Sequence, residues 1–164
     1  MLVTLKDSTN KLRESSTPIA DINDRHKKIA EEMTRIMHET YAVGMAAPQV
    51  GEALRLVVLR LGLRDVVIVN PVITEKKGFR QSIEGCLSVP DFYYEVERPE
   101  SCVISGTNLN GEKVEYNCFN IEAAIACHEV DHLDGILIDE IGIKSFEKRE
   151  IKKDNLAYGC KNGK

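Results

Sequence analysis

The sequence predicts an α+β fold in which antiparallel or mixed strands pack around a central, metal-binding helix with the pattern H-E-x-x-H. Three observations carry this. Segments with helical apolar spacing stand apart from the strand-like segments instead of alternating with them, which disfavours a doubly wound parallel sheet. The strand-like segments come in pairs joined by turn signals. One helical segment ends in His128-Glu129-Val130-Asp131-His132.

In chain order, the first element is an amphipathic helix over 24–41. Ile29, Met33, Ile36 and Met37 fall on one face and His26, Lys27, Glu31 and Glu32 elsewhere. Asp21 or Asn23 can cap its start, and Gly44 follows its end. His26 and His38 read as surface residues without a role. Residues 55–61 and 65–70 are short, rich in Val and Leu and separated by a Gly-containing turn, so they read as a hairpin. Asn70-Pro71 punctuates, and 72–75 adds a short strand. Residues 101–107 and 113–117 flank Asn110-Gly111, a strong turn signal, and predict a second hairpin. Ile121, Ala124, Ile125 and His128 recur at helical spacing, with Gly135 as the stop. Residues 146–158 suggest a short final helix.

The chain has 164 residues, 43% hydrophobic and 29% charged, consistent with a single domain over 1–164 that ends in a short basic helix or tail from about residue 146. Apolar runs such as 66–69 are far too short to cross a bilayer. Residues 1–11 lack the apolar core of a secretory signal, so a cytoplasmic location is expected. The five Cys, an odd number, are read as thiols and not as a disulfide framework. A net charge of −4 excludes a strongly basic DNA-binding protein. The charge is uneven: residues 144–164 hold seven basic and three acidic side chains. A solvated helix face accounts for that; contact with ribosomal RNA is the second reading.

The H-E-x-x-H pattern carries the chemistry. Four helical residues turn the chain about 400°, so both imidazoles share one face and can hold a divalent metal. Glu129, beside the first ligand, can reach a water without ligating the metal itself. This predicts metal-assisted hydrolysis of a carbonyl compound. A catalytic site of this kind needs a third protein ligand. Cys86 in Glu84-Gly85-Cys86-Leu87-Ser88 is one candidate; Glu147 or Glu150 is the other, and would make a general metallopeptidase.

Three segments, Gly44-Met45-Ala46-Ala47-Pro48-Gln49, Glu84 to Ser88 and His128 to Gly135, occur in the order and with the spacing of peptide deformylases, and the chain resembles that family. The resemblance implies that Cys86, His128 and His132 bind the metal and that Glu129 is the general acid/base. It implies that Gln49 and the backbone N–H of Leu87 polarise the formyl oxygen. Val43 and Gly44 would supply backbone bonds to the peptide. Glu84, Ile121, Ala124 and Ile125 match positions lining or shaping the methionine pocket, and Arg98 matches an arginine that pairs with Glu84. The implied activity is removal of the N-formyl group from the N-terminal methionine of newly synthesised polypeptides, releasing formate. The implied cofactor is one divalent metal, Fe²⁺ in cells, with Zn²⁺, Ni²⁺ or Co²⁺ also suited to the ligands. One departure stands out: Ala42 occupies a position where the family usually has glycine. If that position needs positive φ or close backbone approach, Ala costs energy there, and a binding relative with weak or lost turnover is the alternative it would favour.

Overall fold

Leu56, Val57, Val58 and Leu59 are all fully buried, because their strand is covered on both faces. Val57 and Leu59 enter one hydrophobic cluster with Ile68, Ile104, Ile125 and Leu133. Leu56 and Val58 enter another with Met33, Met37, Met45 and Val69. Side chains alternate across a strand, so neighbouring residues feed different layers.

The computed structural model describes residues 2–3 and 11–147. Its strands are β1 Gly44–Ala46, β2 Leu56–Leu61, β3 Arg64–Lys77, β4 Arg80–Cys86, β5 Val89–Arg98, β6 Ser101–Thr107, β7 Lys113–Phe119 and β8 Lys144–Glu147; its α-helices are α1 Asp24–Glu39, α2 Ile121–Leu133 and α3 Ile138–Ile141. The strands form a five-stranded sheet in the order β1-β2-β3-β6-β7 and a three-stranded sheet in the order β4-β5-β8. Every pairing in both sheets is antiparallel. Helix α1 supplies the Met33 and Met37 layer on one face of the large sheet, and α2 the Ile125 and Leu133 layer on the other. Helix α2 buries ten of its thirteen residues, which explains why it is apolar on nearly every side. No described helix is long and apolar enough to cross a membrane.

Both predicted hairpins form, as β2–β3 and β6–β7. Three expectations change. Residues 72–75 are not a separate strand: β3 runs on through Asn70-Pro71, with a register shift between Val69 and Val72 and Asn70 at φ 50°. The Asn70 side chain latches the N-terminal segment, its Oδ1 accepting from Ile19 N–H at 2.9 Å and its Nδ2 donating to Ile19 C=O at 2.8 Å. His26 is buried, because its Nδ1 accepts from the Asn23 N–H at 3.1 Å to complete a capping box at the start of α1. The start of the expected final helix, Phe146 and Glu147, lies in β8, paired with Tyr93 and Phe92 of β5. The rest of that expected helix, and Glu150, fall outside the described residues.

Candidate active site

Helix α2 passes under the large sheet and meets the β4–β5 turn, and the candidate site lies at this junction. His128 and His132 stand one turn apart on α2 with ring centroids separated by 5.1 Å. Cys86 is the last residue of β4, and its Sγ lies 3.2 Å from His132 Nε2. One donor atom from each of Cys86, His128 and His132 falls within 4.8 Å of the others, and all three residues are buried.

The imidazole of His128 is oriented from behind. Its Nδ1 is 2.9 Å from Glu84 Oε2, which leaves Nε2 for the cluster. Glu84, fully buried, also accepts from Arg98 Nε at 2.8 Å and Nη2 at 2.9 Å. Arg98 Nη1 continues to Asp131 Oδ2 at 2.6 Å. Asp131 is on α2 between the two histidines, so one buried guanidinium ties β4, β5 and α2 together. Burial alone would raise the Glu84 pKa, but bonds from His128 and Arg98 outweigh it and hold the carboxyl down at about 2.

Gln49 closes the other side of the cleft. It lies on a 3₁₀ turn, Ala47–Val50, that follows β1. Its Oε1 accepts from Ala46 N–H at 2.9 Å, which turns Nε2 toward Cys86 Sγ, 3.7 Å away, and Ser88 Oγ, 3.4 Å away. The amide therefore caps the backbone with its oxygen and presents its donor to the site.

Glu129 faces β1. A Cβ on Gly44 would collide with the Glu129 carboxylate, so only glycine lets the strand pass this close. Burial pushes the Glu129 carboxyl up to about 7, with the two histidines pulling the other way. Its Oε2 is buried with no hydrogen-bond partner. For Cys86, burial opposes ionisation, but His132 and His128 outweigh it and the thiol is held well below its ordinary value. For His128 burial opposes charge, and Cys86 and Glu84 win, raising it. A readily ionised thiol, two imidazoles with one already oriented by a carboxylate, and an unpartnered carboxylate oxygen beside them form a donor set that fits a divalent transition metal.

Residues 1–147 match the family profile described as polypeptide deformylase. The chain belongs to the peptide deformylase family. A peptide deformylase of Acetivibrio thermocellus is 37% identical over 148 residues, covering 90% of this chain and 87% of that protein. One from Finegoldia magna is 39% identical over 147 residues, covering 88% of this chain and 90% of that one. Among solved structures, the peptide deformylase of Thermotoga maritima superposes with a TM-score of 0.82 at 33% identity, covering 88% of this chain and 97% of that chain. The Synechococcus elongatus enzyme in complex with actinonin gives a TM-score of 0.82 at 34% identity, covering 88% of this chain and 79% of that chain. Peptide deformylases are metal-dependent enzymes that remove N-formyl groups, and the fold and activity class of this chain are theirs.

Of the residues singled out from the deformylase resemblance, Val43, Gly44, Gln49, Cys86, Leu87, His128 and Glu129 line one cleft, and His132 completes the cluster beneath it. Glu84 is not a cleft wall; it sits behind His128. Ala124 and Ile125 are buried and Ile121 is partly exposed at the start of α2, and none of the three lines that cleft. The Val43 C=O accepts from Arg60 N–H at 2.8 Å and is thus committed to the sheet. Backbone groups alternate in direction along an antiparallel strand, so the outward pair belongs to Gly44. Glu147 pairs with β5 in β8 and is absent from the metal-ligand group found among the described residues. Ala42 does not take positive φ, and its side chain is buried with Met37 and Met45; the strain anticipated there falls on Tyr41, at φ 55°. The sequence reading gave three residues no role. Ser88 is buried and donates to Val3 C=O at 2.9 Å while facing Gln49, Asp131 shares Arg98, and Tyr41 lines the cleft mouth. For Asp131 the signal was present, since it lies three residues after His128 and so on the same side of the helix.

Proposed function

We propose that this chain hydrolyses the N-formyl group from the N-terminal methionine of newly made polypeptides, releasing formate, with one divalent metal held by Cys86, His128 and His132. The observation that carries the reading is the Glu129 carboxylate beside that donor set, with Oε2 buried and unpartnered, in a cleft shared with the Gln49 amide. When bound, the cation supplies Lewis acidity, acidifying a water and drawing charge from the formyl oxygen. Glu129 accepts the water proton and returns it to the methionine nitrogen as the C–N bond breaks, so the products are formate and a free amine. Gln49 Nε2 and the Leu87 N–H donate to the oxygen as it becomes negative; the Ala46 N–H fixes the Gln49 amide, so little reorganisation is needed. The peptide lies along β1, which among the described residues has only β2 beside it in the sheet, and pairs with the outward groups of Gly44.

We assign Fe²⁺ as the metal in cells, a choice supported by the resemblance and by a donor set that also accepts Ni²⁺, Co²⁺ or Zn²⁺. We place the enzyme in the cytoplasm, where new chains emerge. A ribosome contact through the basic segment from Lys144 is supported by that segment's charge of +4, and co-sedimentation with ribosomes at low and high salt tests it. The activity test is formate release from formyl-Met-Ala-Ser by protein purified without oxygen and loaded with Fe²⁺ or Ni²⁺. Fast release is the expected result; stoichiometric metal with no release would overturn the reading.

A further inference from the structure

Tyr41 occupies a backbone position that the chemistry of helix ends reserves for glycine. Beyond the Thr40 cap of α1, the Tyr41 N–H donates to His38 C=O at 3.2 Å and the Ala42 N–H to Met37 C=O at 2.9 Å. This pair of bonds is a Schellman motif, whose first residue past the cap is left-handed and usually glycine. Tyr41 takes that conformation, at φ 55°, and its Cβ makes it unfavourable. Packing offsets this only in part, because Tyr41 is 56% exposed. It does line the mouth of the active-site cleft, together with Val43, Gly44, Leu87 and Glu129. A strained, exposed aromatic at the rim of a site points to recognition and not to folding.

The direction of the peptide follows from the same residues. The reacting carbonyl must sit beside Cys86 and Gln49. Gln49 is anchored at the Ala46 end of β1, so the peptide chain leaves toward Gly44 and then Tyr41. Three residues of extended chain span roughly 10 Å, which brings the second and third residues of the peptide level with Tyr41.

We propose that Tyr41 is a substrate-positioning residue whose ring packs against the second and third residues of the formylated peptide, and that its left-handed backbone is kept for that contact at some cost in stability. The inference rests on the deformylase reading above. The test compares the wild-type holoenzyme with Tyr41→Gly and Tyr41→Phe, on formyl-Met amide and on formyl-Met-Ala-Ser. In Tyr41→Gly, the ratio of kcat/KM for the tripeptide to that for the amide falls about 2- to 10-fold, the worth of an aromatic contact, and the change enters through KM. Tyr41→Phe restores the ratio. The Tm of Tyr41→Gly is no lower than that of the wild type, and up to about 2–4 °C higher as the backbone strain is relieved. An unchanged ratio overturns the inference alone, as does a Tm that falls, since the ring would then be holding the fold. No formate from either substrate with the wild-type protein would sink the deformylase reading, and this inference with it.

Discussion

Replacing Arg98 with Met isolates the worth of the buried ion pair behind the Cys86, His128 and His132 cluster. The Arg98 side chain is 5% exposed and that of Glu84 0%, so neither charge is screened by water to any extent. The substitution keeps an apolar stem in the space of the arginine but removes three hydrogen bonds, two to Glu84 and one to Asp131. Glu84 is then a buried carboxylate whose one remaining partner is His128 Nδ1. Removing one member of such a pair typically costs about 3–5 kcal/mol, mostly the penalty on the charge left behind. Against a total stability of about 5–15 kcal/mol for a domain, that is a large fraction. Urea unfolding of the metal-free protein reads it as a lower midpoint at unchanged m-value. The loss lies in the stranded carboxylate, so adding Glu84→Gln to Arg98→Met should cost less than the sum of the two single substitutions. Metal affinity should also fall, by roughly 10–100-fold, because Glu84 orients His128. A loss under about 1 kcal/mol for Arg98→Met, or strict additivity in the cycle, would refute the argument.

Three further outcomes follow from the geometry. Gln49→Ala should lower kcat by about 10²–10³-fold through loss of one oxyanion donor, and should also destabilise the fold by about 1–3 kcal/mol, since the buried Ala46 N–H loses its acceptor; kinetics and urea unfolding read the two effects separately. Gly44→Ala should abolish most activity while metal content holds, because its Cβ displaces the Glu129 carboxylate; metal analysis beside formate release checks this. Burial raises the Asp65 pKa, but bonds from Arg60 and His38 outweigh it and hold it below its ordinary value. A carboxyl depressed in the folded state stabilises above its unfolded pKa of about 3.9, and that contribution is lost as pH falls through the lower folded value. Asp65→Asn should therefore lower the Tm at pH 7 and flatten its fall below about pH 4, as pH-dependent melting curves would show.

The elements that sequence periodicity revealed are those with apolar side chains at regular spacing. Helix α1, helix α2 and the hairpins β2–β3 and β6–β7 all carry Val, Leu, Ile or Met toward a core. The β4–β5 hairpin was illegible for a physical reason. Its alternate buried positions in β4 are Ser82, Glu84 and Cys86, so the period of two is present but written in polar residues, and it looks like solvated loop. Glu84 can be buried because Arg98 and His128 satisfy it. The His128 and His132 face of α2 was singled out because the H-E-x-x-H pattern occurs together with the segments around Gly44 and Cys86. The roles of Asp131 and Ser88 depend on contacts across the fold that no local pattern encodes. Tyr41 was hidden because a left-handed non-glycine residue leaves no trace in the sequence.

In the proposed reaction Glu129, and not the bound metal alone, moves the proton. The most direct measurement is formate release from formyl-Met-Ala-Ser by Ni²⁺-loaded Glu129→Gln beside the wild type, with metal content determined on the same samples. Glutamine fills the same space but cannot accept the proton. Both proteins should hold one equivalent of metal, with kcat lower by about 10²–10⁴-fold in the variant, the usual contribution of a general acid/base. Equal turnover at equal metal content would contradict it.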